Sequence, residues 1–166
     1  MEERLERFIW HVERSNNNLI TTAQDLNEEQ LAWTPPQINN SIGWQLRHCA
    51  GEYWYSLGHL TGDRIPVNLN AFGFPPVEGG LQTKLKFEFD LEETGPGASA
   101  ESHINYLNHA WETLKTFLVD NYDMWSTKTY IRSDDATGSG WWWLDHFLWD
   151  IANHSGQAKY LRKIIP

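Results

Sequence analysis

Apolar residues recur at steps of three and four in four separate stretches of this chain, and helices that share a core are the simplest way to bury so many matching stripes. The first stripe runs Leu5, Phe8, Val12, Leu19, Ala23 and Leu26. The second runs Ile42, Leu46, Cys49, Tyr53, Leu57 and Leu60, with Trp44, His48, Gly51 and Tyr55 forming another row on the same helix. The third is Ile104, Leu107, Trp111, Leu114 and Leu118, and the fourth Leu144, Phe147, Ile151, His154, Ala158, Leu161 and Ile165. Ser41, Ser99 and Ser139 stand where N-caps of the second, third and fourth helices are expected. The expectation is an all-α fold of one domain over residues 1–166, a four-helix bundle in up-down-down-up order.

The breaks between stripes shape the rest of the reading. Asn16 to Asn18 leave a polar gap in the first stripe, the place for a kink or a functional contact. Leu31 to Asn40 is read as a linker, because Pro35 and Pro36 block helical continuation. Gly62 to Ala98 has no sustained helical period and is read as a long crossover between the second and third helices, with one short extended piece expected at Leu85–Asp90. Asn121 to Gly138 is polar and is read as loop.

A chain of 166 residues with 40% apolar and 21% charged residues can bury a core without disulfides. Its ten Trp, seven Phe and six Tyr predict an aromatic core or interface. The formal charge of −9 disfavours attraction to nucleic acid or anionic membranes. No stretch approaches the length of a bilayer span, the first residues lack the pattern of a signal peptide, and the lone Cys49 suits a reducing compartment. A soluble cytoplasmic protein is the expectation.

Chemistry concentrates in the last stripe. His146, Asp150 and His154 follow one another at four-residue steps. Each step turns the helix by about 40° and rises about 6 Å, so adjacent members can converge on one ion. A transition-metal site with imidazole and carboxylate donors needs at least one more ligand from another helix and leaves a position open for water or substrate. Spacing alone also fits a hydrogen-bonded core histidine and a surface pair of His146 with Asp150. It does not choose the third ligand among His11, His48, His59, His103 and His109, all on expected helices.

Three segments narrow that choice through a family resemblance. NSIGWQLRHCAGEYWY, Asn40 to Tyr55, resembles the second-helix motif of DinB-like proteins, in which a Trp precedes a ligand His. HFLWDIANHSGQ, His146 to Gln157, resembles their last-helix motif, with two ligands four apart followed by Gly and often Gln. LNEEQLAWTPP, Leu26 to Pro36, is similar to the link between their first two helices. The resemblance implies a divalent metal on His48, Asp150 and His154, with Zn first and Ni or Fe(II) as alternatives. Many DinB-like proteins carry His where this chain has Asp150. The branch that includes mycothiol-dependent maleylpyruvate isomerase carries an acid there, usually Glu, which is one methylene longer. A water or His146 stands as the alternative where Asp150 does not reach.

Several members of the superfamily are metal-dependent S-transferases or isomerases acting with bacillithiol or mycothiol, so the resemblance implies a small-molecule substrate and a low-molecular-weight thiol; a homodimer is also expected. An open coordination position could hold a thiolate deprotonated near neutral pH. A non-catalytic, stress-associated bundle is the competing expectation. Cys49, about 100° around the helix from His48, is read as a small buried hydrophobe with a role as extra ligand or nucleophile held open. Glu52, one turn after His48, is expected to orient that imidazole or to be solvated. Asn153, Ser155 and Gln157 could meet substrate, and the Trp141 to Trp143 run is expected to pack into the core or line a pocket mouth or dimer contact.

Overall fold

The structure, a computed structural model, describes residues 2–36, 40–61, 97–131 and 137–166. It is mostly helical. α1 spans Glu3–Ala23, α2 Glu28–Ala32, α3 Ile42–Thr61, α4 Ala100–Asp120, α5 Tyr122–Thr127 and α6 Gly140–Ile164, with strands β1 (Thr129–Ile131) and β2 (Thr137–Ser139) before the last helix. The expected extended piece at 85–90 and the crossover, apart from Gly97 and Ala98, lie outside the described residues.

Each long helix starts as its sequence requires. Glu3 and Glu6 place negative charge at the positive end of α1. The Ser41, Ser99 and Ser139 hydroxyls accept the backbone N–H groups of Trp44, Ser102 and Trp142 at 3.1, 3.2 and 3.2 Å, satisfying amides that the first helical turn leaves without partners. Arg162 and Lys163 sit in the last turn of α6, where positive charge suits the dipole.

α1 packs on α6 and α4, and α3 packs on α4 and α6. The four stripes meet in a core where Tyr53 lies 4.8 Å from Phe147 and 5.3 Å from Trp111, ring centre to ring centre, while Phe8 touches the latter two. Such pairs each add about 0.5–1.5 kcal/mol beyond the burial of their area. α3 is covered on most sides, and of its second row Gly51 is buried while Trp44, His48 and Tyr55 are half-buried. Along the α1–α6 seam, Arg4 meets Asp145 at 2.8 Å, Lys159 meets Asn18 at 2.7 Å and Arg162 meets Asp25 at 2.7 Å. Exposed pairs of this kind contribute little each, but they fix the seam's register.

The polar gap in α1 has an interior use. Asn16 is buried, and its Oδ1 accepts the Tyr53 hydroxyl at 2.6 Å, tying α1 to the middle of α3. A short helix runs into the expected linker: Asn27 and Gln30 cap each other's backbone to start α2, whose last residues, Leu31 and Ala32, are the first of that stretch.

The stretch expected to be loop holds α5 and a small antiparallel hairpin, with Tyr130 opposite Gly138. Two side chains pin it. The fully buried Trp125 donates its indole N–H to the Leu118 carbonyl at 2.8 Å, and the Tyr130 hydroxyl donates to the Leu60 carbonyl at 3.1 Å. Among the described residues, no helix is long and apolar enough to cross a membrane.

Candidate metal centre

α6 carries Asp150 and His154 one turn apart, and their side chains face α3 where it presents His48. Asp150 Oδ2 lies 3.3 Å from His154 Nε2 and 3.4 Å from His48 Nε2. The three donor atoms all fall within 4.8 Å of one another. Bonds of about 2.0–2.1 Å to a tetrahedral ion put neighbouring donors about 3.3–3.4 Å apart, so the spacing suits one ion between them. The shorter Asp side chain therefore reaches both imidazoles without an intervening water or His146.

The surroundings keep Asp150 ionised and hold all three side chains in place. Burial alone would raise the Asp150 carboxyl, but hydrogen bonds from His154 and His48 and their positive potential hold it well below the usual carboxylate range. It is ionised at neutral pH, as a ligand must be. Trp44, one turn before His48, stacks on that imidazole at 4.4 Å with planes 12° apart and meets His154 edge-on at 5.6 Å. One indole thus fixes two rings and walls one side of the site from water. One turn below, the buried Gln45 donates its amide to Gln157 Oε1 at 3.0 Å and links α3 to α6. Among the described residues the buried His154 Nδ1 has no hydrogen-bond partner, so its ring is held by Asp150 on one side and by packing.

Glu52 also belongs to this corner. Its carboxylate is 3.7 Å from His48 Nε2, the nitrogen that faces Asp150. It therefore does not brace the imidazole from behind, as an orienting partner would. Burial, partly offset by His48 and reinforced by Asp150, pushes its carboxyl up to about 7.

The remaining candidates are placed elsewhere. His146 is exposed and stacks on Trp142 with ring centres 5.5 Å apart. Cys49 is fully buried, and its thiol is pushed up by burial and then by the charges of Asp150 and Glu52, the opposite of a nucleophilic cysteine. His11 and His109 are exposed, and His59 stacks on Trp143 at 4.2 Å. His103 is buried at the α3–α4 contact, where burial and then Arg47 lower its pKa to about 4. Asn153 and Gln157 line an open cleft of about 700 Å³ whose lining includes Gln45 but none of the three donor residues, whereas Ser155 is buried. Trp141 and Trp143 face inward and Trp142 is half-buried. Spacing put Trp44 in one row with His48 but gave no sign of its stacking there, and it missed the Gln45–Gln157 tie.

A family model described as the DinB superfamily matches residues 11–158. No curated protein sequence matches the chain at a significant level. Among solved structures, one described as the conserved protein of a locus from Enterococcus faecalis is similar, with a TM-score of 0.73 at 15% identity, over 99% of this chain and 98% of that one. At that identity the likeness speaks for the fold alone.

Proposed function

This chain belongs to the DinB superfamily, and from that premise we propose that it is a metalloenzyme holding one divalent ion on His48, Asp150 and His154 and acting with a low-molecular-weight thiol. It transfers the sulfur nucleophile to a small substrate, or carries out a related hydrolysis or isomerisation. The observation that carries the reading is one carboxylate oxygen set 3.3 and 3.4 Å from two imidazole nitrogens on different helices. A divalent ion there, Zn first and Ni or Fe next, supplies the Lewis acidity that lets a thiol or water lose its proton near neutral pH.

The protein's own groups do the rest. His48 and His154 bind as neutral donors, Asp150 brings one negative charge, and Trp44 excludes water from one side. The cleft bordered by Asn153 and Gln157 offers amide groups to a polar cosubstrate such as a thiol with a sugar or peptide body.

The scaffold we propose is a single four-helix bundle in up-down-down-up order. Arg4, Asn18 and Asp25 meet Asp145, Lys159 and Arg162 in ascending order, which supports α1 and α6 running the same way. Tyr53 and Trp54 approach Trp111 and His109, and Gly43 lies against His103, which supports the same for α3 and α4. Gln45 and His48 meet Gln157 and Asp150 in descending order, which supports opposite directions for α3 and α6. A cytoplasmic homodimer completes the proposal. A non-catalytic metal-binding dimer is the competing reading, favoured by the exposed Trp149, at 67% accessibility, and Tyr160, at 57%.

The test is a thiol-transfer screen on protein purified without a nickel column and loaded with Zn, Ni or Fe(II) in turn. Bacillithiol, mycothiol, glutathione and coenzyme A serve as donors. Turnover that depends on metal, and that is lost in His154→Ala, is the expected result. Stoichiometric metal with no turnover for any donor gives the non-catalytic reading instead.

A further inference from the structure

Glu52 sits one helical turn along α3 from His48 and aims at the same nitrogen that Asp150 approaches. The two carboxylates lie 3.7 and 3.4 Å from His48 Nε2. A side chain that only steadied the ring would meet its other nitrogen. Glu52 is 15% exposed at the side chain, and among the described residues His48 is its sole polar contact, with no lysine, arginine or backbone amide to compensate it. A largely buried carboxylate without a donor or cation is costly, and it is relieved either by taking up a proton, toward which burial already pushes Glu52, or by coordinating a metal.

Charge arithmetic points the same way. Two neutral imidazoles and Asp150 contribute −1, so a divalent ion on those three residues alone leaves +1 in a largely buried site. A second carboxylate brings the total to zero.

We infer that Glu52 is a fourth protein donor to the ion, turning the three-residue group into a site of two imidazoles and two carboxylates. The inference rests on the metal reading above. His48, Asp150 and His154, already within 4.8 Å of one another, set the ion's position, and Glu52, outside that group, joins them by rotating its terminal torsions. Four protein donors fill a tetrahedral ion, whereas an ion of five or six coordination keeps a position for substrate. The second carboxylate also shifts the donor set toward harder ions than an all-imidazole site would take.

The experiment uses Co(II) alone as probe, on the full chain as wild type, Glu52→Gln and Glu52→Ala. Far-UV circular dichroism establishes that each variant is folded, and the near-isosteric Gln variant keeps the packing should Ala disturb it. Visible absorption and competitive titration then report coordination and affinity. The expected result is a changed ligand-field spectrum in both variants, with affinity falling by more than the roughly 10–100-fold typical of a residue that only orients a donor. A crystal structure of the loaded wild type should place a Glu52 oxygen at about 2.0–2.2 Å from the ion. One bound Co(II) with an unchanged spectrum and affinity in the variants overturns the role of Glu52 while sparing the three-residue site. Wild-type protein that binds no Co(II) overturns both.

Discussion

On the metal reading, replacing His154 with alanine removes one of the three donors that set the ion's position and leaves Asp150 and His48, with Glu52 beside them, to hold it. An ion present at about 100 times its dissociation constant stabilises the folded chain by about 2.7 kcal/mol. For a chain of 166 residues, each kcal/mol shifts the melting temperature by about 2–4 °C, so metal should raise it by roughly 5–11 °C in the wild type. Losing a donor weakens binding by at least about 100-fold, the upper end for residues that merely orient one. At the same ion concentration the stabilisation then falls to about 0.4 kcal/mol, and the rise shrinks to about 1–2 °C.

Thermal unfolding of each protein with and without ZnCl₂ measures this. Comparing each variant with itself cancels the cost of the hole left by the buried imidazole. Elemental analysis of the dialysed proteins supplies the stoichiometry in parallel. His146→Ala is the internal control: that ring is exposed on Trp142, outside the donor group, and its loss should leave the full rise. If His154→Ala retains one ion per chain or an undiminished rise, the donor assignment is wrong.

Tyr53→Phe should destabilise the fold by about 1–3 kcal/mol in urea titrations, because Asn16 Oδ1 loses its buried donor. Pairing it with Asn16→Leu should cost clearly less than the two single changes added together, and strict additivity would refute the coupling. His103 titrates near 4 when folded against an ordinary 6.5, so the unfolded chain takes up the proton first. Stability should therefore decline by roughly 2–3 kcal/mol as the pH falls from about 6.5 to about 4; denaturation midpoints across that window should flatten in His103→Phe, and an identical slope would exclude His103. Gly140→Ala should lower the melting temperature by several degrees, since a Cβ there falls onto the backbone and ring of Trp125 and overpacking costs about 1–3 kcal/mol. A neutral result would mean that the start of α6 gives way more easily than its packing implies.

The long helices were legible because their determinants are local. A serine before each of three stripes does become the cap, and Leu144, Phe147, Ile151, His154, Ala158 and Leu161 are all buried as their periodicity requires. The pair Asp150 and His154 is likewise a matter of spacing along one helix. His48 was not accessible to that reasoning, because five histidines lay on expected helices and only the facing of α3 toward α6 separates them. Motif resemblance pointed to His48, whose ring lies 3.4 Å from Asp150 in the structure. α5 and the hairpin were hidden by the polar composition of their stretch, since Trp125 and Tyr130 hold them through carbonyls of Leu118 and Leu60. α2 carried a readable signal in Asn27 and Gln30, which the following prolines obscured.

His48 and Asp150 stand 102 positions apart along the polypeptide. An unfolded chain can offer an ion little more than the adjacent pair Asp150 and His154, because bringing in His48 means closing a very long loop. If the site holds the proposed ion, its occupancy is a property of the assembled tertiary structure rather than of any fragment. A cell short of the ion would hold less of the chain in its native state, and the fraction of molecules carrying metal would serve as a running census of those that had folded.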